Sequence, residues 1–150
     1  MENNWKFHHV GVAIRDIDKI VEYYQSLGIG AFQPEILFNS SGFADFKVNG
    51  KTPDTIVKLR IRYVQIGPFQ LELIQPAEGE SPQREFLNSR GDGVNHIAFS
   101  VDDLDKETDK LAKKGIKVIF SGKHQTGSGF AYFDTRKVGD VIVELMQWTK

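Results

Sequence analysis

The feature that most constrains this chain is an internal repeat that copies polar residues along with the apolar pattern. HVGVAIRDIDKIVEYYQSLGI, from His9 to Ile29, recurs as HIAFSVDDLDKETDKLAKKGI, from His96 to Ile116. In register, His9 meets His96, Asp16 meets Asp103, Asp18 meets Asp105, Lys19 meets Lys106, and Gly28-Ile29 meets Gly115-Ile116. A second echo follows in each half, where LELIQ around Glu72 matches VELMQ around Glu144. The chain therefore reads as two copies of one unit, each carrying one histidine and one glutamate at matching positions.

The pattern within each copy gives the unit's order. Alternating apolar residues in FHHVGVAI predict a strand near residues 6–14. Asp16 is placed to cap a following helix, in which Ile17, Ile20, Val21, Tyr24 and Leu27 form one buried stripe. Gly28 stands where a left-handed cap ends such a helix. AFQPEILF, DTIVKLRIRYVQI and FQLELIQ read as three further strands, the last two joined by a turn at Gly67-Pro68. The second copy repeats this: VNHIAFSV, a helix capped by Asp102 or Asp103 and closed by Gly115, then IKVIF, GFAYFDT and DVIVELMQ. The expected fold is α+β, with two β-α-β-β-β modules. Module one covers about residues 6–76, a linker with a short helix about 77–92, and module two about 93–148. The Phe38–Thr55 connection has no counterpart of that length in module two, and reads either as a lid or as a tolerated surface loop.

Strand parity gives the repeated polar residues a direction. Side chains alternate between the faces of a strand, so His9 shares a face with Gly11 and Ala13, and His96 with Ala98 and Ser100. Those small neighbours leave room beside each imidazole, while Val10, Val12 and Ile14, or Ile97, Phe99 and Val101, suit packing under a helix. Glu72 and Glu144 likewise point away from the leucines and valines beside them. If the sheets curve into a half-barrel, all four converge at its centre. A single strand histidine is more commonly a hydrogen-bonded structural residue, and a single strand glutamate a solvated one. The recurrence of both types at matching positions favours a metal site. His8 reads as a structural neighbour on the opposite face, and His124 as a surface residue of the Gly-rich loop at 122–129.

Bulk properties limit the remaining classes. A formal net charge of -1 favours neither nucleic acid nor an anionic membrane as partner. No run approaches the roughly 18 apolar residues of a membrane span, and MENNWKFHHV lacks the pattern of a secretory signal. With no cysteine, any metal must be held by nitrogen and oxygen, and a cytoplasmic location is the expectation.

His9 in HVGVAI, Glu72 in LELIQP, His96 in HIAFSV and Glu144 in VELMQ resemble the pattern of the vicinal-oxygen-chelate superfamily, closest to its methylmalonyl-CoA epimerase and glyoxalase I branch. That resemblance implies a curved half-barrel around one divalent ion (Co, Mn, Ni or Zn) held by His9, Glu72, His96 and Glu144. It further implies an isomerase that removes a proton next to a thioester carbonyl while the ion stabilises the enolate, with Glu144 as the base. Expected partners are an acyl-CoA or a glutathione adduct, and a second copy in a homodimer. A glyoxalase I-like lyase would use the same four residues, and a bleomycin-resistance-type binding protein would use the fold without catalysis. The chain departs from the epimerase pattern in VKLRIRYVQI, where a second carboxylate is expected and none is present, and in FDTRKVGD, where His-Pro-Lys is common. Arg60 and Arg62 would hold an anion if they faced the cup, and would be ordinary surface charges if they faced solvent, which is the favoured alternative. For the 122–129 loop a plain hairpin is favoured over a phosphate cradle.

Overall fold

In the computed structural model, which describes residues 2–148, the two repeats fold alike. β1 (Lys6–Ala13) leads into α1 (Ile17–Ser26), and β6 (Gly93–Ser100) leads into α3 (Leu104–Lys113). Asp16 and Asp103 cap these helices, their carboxylates accepting the amide N–H groups of Lys19 and Lys106. Those donors would otherwise be orphans of the first turn. Gly28 and Gly115 end the helices at φ of +86° and +80°, a conformation that costs glycine no β-carbon clash.

The second echo also has a structural meaning. Glu72 lies on β5 (Phe69–Glu78) and Glu144 on β9 (Ile142–Gln147). Three residues on, an odd number, the side chain faces the other side of the sheet. There Gln75 Oε1 accepts the Ile17 N–H at 2.8 Å, and Gln147 Oε1 accepts the Leu104 N–H at 2.7 Å. Each copy thus ties the start of its helix to the strand that carries its glutamate.

The remaining strands are β2 (Ile36–Asn39), β3 (Asp45–Val48), β4 (Lys58–Ile66), β7 (Val118–Lys123) and β8 (Gly129–Phe133). All nine form one mixed sheet in the order β2-β4-β5-β1-β6-β9-β8-β7-β3. β1 and β6 meet antiparallel at the centre, and each runs parallel to its own module's glutamate strand. β2 starts only at Ile36, later than AFQPEILF suggests, because Pro34 has no N–H to donate to a ladder.

The long connection in module one is neither a free lid nor a loose surface loop. Its residues Asp45–Val48 form β3, which pairs antiparallel with β7 of module two. β2 and β3 are therefore opposite edges of the sheet, yet only residues 40–44 separate them. Such a link reaches at most roughly 20 Å, so the sheet must curl until its edges approach. Phe38 and Phe43 complete this strap by packing against Phe130, with ring centroids 5.8 Å and 5.5 Å away.

The outer face of the curl is covered by helices. Ile17 and Val21 of α1 pack with Ile14 and Leu73, while Leu104 of α3 packs with Val101, Phe133 and Leu145. Burying side chains of this size contributes about 1.5–3 kcal/mol each. The concave face carries a third cluster that includes Leu59, Ile61, Phe120, Phe130 and Met146. Between the modules, α2 (Pro82–Arg90) starts at the Ser81 cap, with Pro82 in its first turn. No helix among the described residues is long and apolar enough to cross a membrane.

Candidate metal centre

His9, Glu72, His96 and Glu144 meet at the centre of the concave face. All four are buried, with exposures of 1%, 4%, 0% and 6%. The central pairing explains how two histidines from different copies reach one point: His9 lies across from Ala98, and His96 across from Gly11. Gly11 is required there. A β-carbon at that position would stand 1.9 Å from His96 Cε1, so the imidazole occupies the volume a side chain would need.

The inward atoms form a tight cage. His9 Nε2 and His96 Nε2 are 3.1 Å apart. Glu72 Oε1 lies 3.2 Å from His9 Nε2 and 3.3 Å from His96 Nε2. Glu144 Oε2 lies 3.4 Å and 3.2 Å from the same two nitrogens. Donors bonded to one ion at about 2.0–2.1 Å in tetrahedral geometry are about 3.3 Å from each other. Glu72 Oε1 and Glu144 Oε2 are buried without any hydrogen-bond partner, and orphaned oxygens aimed at a common centre need a cation or protons to offset their burial. The residues therefore fit a divalent ion, and the group could hold one.

The surroundings orient the imidazoles. His96 Nδ1 is 2.9 Å from Asn95 Oδ1. An amide oxygen only accepts, so Nδ1 carries the hydrogen and Nε2 presents its lone pair to the centre. His9 Nδ1 lies 2.7 Å from His8 Nδ1. Parity alone puts His8 on the opposite face, but with a register shift between Phe7 and His9 its ring meets that of His9. Burial, helped by the neighbouring His9, keeps the His8 pKa below its ordinary value, so His8 is suited to accept from His9 Nδ1–H.

Electrostatics inside the cage follow from packing two carboxylates against two imidazoles. Burial alone would lower the His9 pKa, but Glu72 and Glu144 outweigh burial and raise it to about 10. His96 is raised for the same reason, again against burial. Burial pushes both glutamates up, while the histidines pull them below the ordinary carboxylate value. Without a metal, protons hold the imidazoles; a metal must displace them.

A pair of tyrosines belongs to the same pseudo-symmetry, although the repeat in the sequence does not by itself pair them with the glutamates. Tyr63 on β4 pairs directly with Glu72, and Tyr132 on β8 pairs directly with Glu144. The signal was available by counting across each predicted hairpin. Their hydroxyls differ in use. Tyr63 Oη donates to Glu72 Oε2, whereas Tyr132 Oη accepts from Gln83 Nε2 of α2 at 2.9 Å. Glu72 is tethered; among the described residues no hydroxyl is hydrogen-bonded to Glu144.

Above the cage opens a cavity of about 260 Å³ with Glu72 and Glu144 at its floor. Arg60 and Arg62 are not part of it. Arg60 pairs with Asp18 at 2.9 Å and Glu35 at 2.7 Å, and Arg62 donates to the Gln33 carbonyl. The 122–129 segment is a hairpin between β7 and β8, and Lys123 pairs with Asp105 at 2.7 Å. His124 is held more firmly than a surface residue: it stacks on Phe43 at 4.3 Å and lies 3.0 Å from the Gly42 carbonyl oxygen.

Known proteins are similar to this chain in sequence and fold. The family described as Glyoxalase/Bleomycin resistance protein/Dioxygenase superfamily matches residues 8–133, a span that includes His9, Glu72 and His96 and stops short of Glu144. An uncharacterised protein of Bacillus subtilis, YqjC, is 26% identical over 145 residues, covering 95% of this chain and 91% of that protein. The mitochondrial methylmalonyl-CoA epimerase of Homo sapiens is 25% identical over 150 residues, covering 97% of this chain and 75% of that protein. A solved structure of Streptomyces coelicolor methylmalonyl-CoA epimerase in complex with 2-nitronate-propionyl-CoA has the same fold. Its TM-score is 0.62 at 22% identity, covering 97% of this chain and 98% of that one. With the match spanning most of the chain and the curled sheet shared, this protein belongs to the Glyoxalase/Bleomycin resistance protein/Dioxygenase superfamily.

Proposed function

We propose that this protein is a metal-dependent isomerase of the methylmalonyl-CoA epimerase type, transferring a proton at the carbon next to a thioester carbonyl. The observation that carries this reading is the meeting of four buried donor atoms, two of them orphaned carboxylate oxygens, at the floor of an open cavity. The epimerases among its relatives, at about 25% identity, point the same way. His9, Glu72, His96 and Glu144 would hold the ion, and their donor set suits Co, Mn, Ni or Zn. When bound, such an ion supplies a Lewis acid for the carbonyl oxygen of the substrate.

The chain's own residues then divide the work. Asn95 and His8 fix the imidazole tautomers. Tyr63 holds Glu72 in place through its second oxygen. Glu144 lacks that tether because Tyr132 is committed to Gln83, so Glu144 is the carboxylate free to swing toward a substrate proton. A carboxylate bound to a cation is a poor base, and this freedom is what a base at this position requires. The apolar walls exclude water from the removed proton.

The test is deuterium incorporation. Metal-loaded protein is incubated in deuterated water with α-branched acyl-CoA esters, methylmalonyl-CoA among them, and mass spectrometry reads the α-carbon. Exchange on at least one ester, abolished by Glu144→Gln, is the expected result. No exchange on any ester would contradict the reading, and turnover of a methylglyoxal–glutathione hemithioacetal instead would move the protein to lyase chemistry.

A further inference from the structure

We propose that the acyl portion of the substrate carries an uncharged, apolar group beside the reacting carbon, an aryl group by preference, and not a second carboxylate. This rests on the proposed reading of the site and narrows its substrate class. The observation is the chemistry of the cavity wall. Over the two floor glutamates the wall is built from Leu59, Ile61, Phe38, Phe43, Phe120 and Phe130, and among the described residues no lysine, arginine or aspartate lines it.

The two cations of β4 are committed elsewhere. Arg60 and Arg62 stand on β4, the strand that supplies Leu59, Ile61 and Tyr63 to the wall, but on its other face. Arg60 is engaged by Asp18 and Glu35. The two hydroxyls among the described wall residues are also spent, that of Tyr63 on Glu72 and that of Tyr132 on Gln83. At the floor, two ionised glutamates balance the charge of a divalent ion, leaving no net positive charge for a further anion. A carboxylate buried without a partner in such a wall is strongly disfavoured.

The positive half of the inference comes from the strap. Phe38 and Phe43, which module one contributes across the cup, meet Phe130 edge-on, with interplanar angles of 76° in both pairs. Phe38 also lies 6.2 Å from Phe120. Offset and edge-on contacts of this kind are the arrangement in which a further aromatic ring packs well against aromatic neighbours. The strap has no counterpart in module two, so the aromatic wall is a feature of one side of the cup and would hold one substituent of the α-carbon in a fixed direction.

Two esters that differ only in that substituent test this. Isothermal titration of the metal-loaded protein with 2-phenylpropionyl-CoA and methylmalonyl-CoA compares phenyl with carboxylate on the same methyl-branched carbon. The phenyl ester is expected to bind at least tenfold more tightly, and Phe43→Ala is expected to remove most of that advantage by weakening the phenyl ester more than methylmalonyl-CoA. Equal affinities, tighter binding of methylmalonyl-CoA, or binding of neither ester would overturn the inference. Deuterium exchange on the same samples separates the two claims. The predicted binding order without exchange on either ester would retain the substrate class and refute the isomerase. Exchange with the reverse order would do the opposite.

Discussion

Gly11 faces His96 across the central β1–β6 ladder, and the imidazole fills the space where any larger residue at position 11 would place its β-carbon, 1.9 Å from His96 Cε1. One copy of the repeat thus makes room for the functional residue of the other. Gly11→Ala should displace the His96 ring and lower metal affinity by at least tenfold. Overpacking of this kind typically costs about 1–3 kcal/mol, so the melting temperature should fall by several degrees. Calorimetry together with a competition titration against a chromophoric chelator would check both, and an unchanged affinity would show that the close approach is unimportant.

The two tyrosines make a paired prediction. Tyr63→Phe removes the hydroxyl that holds Glu72, and loss of such an outer partner typically weakens metal binding about 10- to 100-fold. Tyr132→Phe removes a bond to Gln83 instead, so it should lower stability by about 1 kcal/mol and leave metal affinity nearly unchanged. Chelator competition on both variants reads the difference; equal effects would refute the asymmetry between Glu72 and Glu144.

Protons and metal compete for the cage. Because the His9 pKa is raised to about 10 against burial by Glu72 and Glu144, the metal-free protein at pH 8 holds protons that an ion must expel. Adding Zn or Co at pH 8 in weak buffer should release at least one proton per ion bound, read by a pH indicator; no release would contradict the assigned protonation. The sign for stability follows from the raised value. In the metal-free protein the His9 contribution is fully present below its ordinary value of 6.5 and falls as pH rises from there. It is gone above about 10. Metal-free protein should therefore lose more thermal stability between pH 7 and pH 10 than loaded protein.

The glutamines of the second echo give a stability prediction away from the cage. Gln75→Ala and Gln147→Ala each strand one helix-start amide, and each should cost about 1 kcal/mol, seen as a lower denaturant midpoint. Because the two sites belong to separate helices, the double variant should lose the sum.

Much of this was legible in the sequence because duplication repeats the residues that matter. The helix caps at Asp16 and Asp103, the closing glycines and the four inward residues all fall where period and parity put them. What escaped depends on contacts that no local pattern encodes. β3 is a short strand whose partner, β7, belongs to the other module. His8 is turned by a register shift that depends on how β1 meets β6. Tyr63 and Tyr132 reach the site through hairpin register, which can be counted only once the turns are fixed. For Arg60 and Arg62 the sequence leaves two alternatives, and the outward one it favours is found because the alternating face of β4 carries the cavity wall.

The central claim is that His9, Glu72, His96 and Glu144 together hold one divalent ion, and metal stoichiometry tests it most directly. Protein purified without chelators, loaded with Co or Zn and freed of excess ion, should contain one ion per chain by elemental analysis. Glu72→Gln should weaken retention, and His96→Ala should abolish it while circular dichroism stays that of the parent. A metal content near zero in the parent protein, or a content unchanged in both variants, would contradict the account.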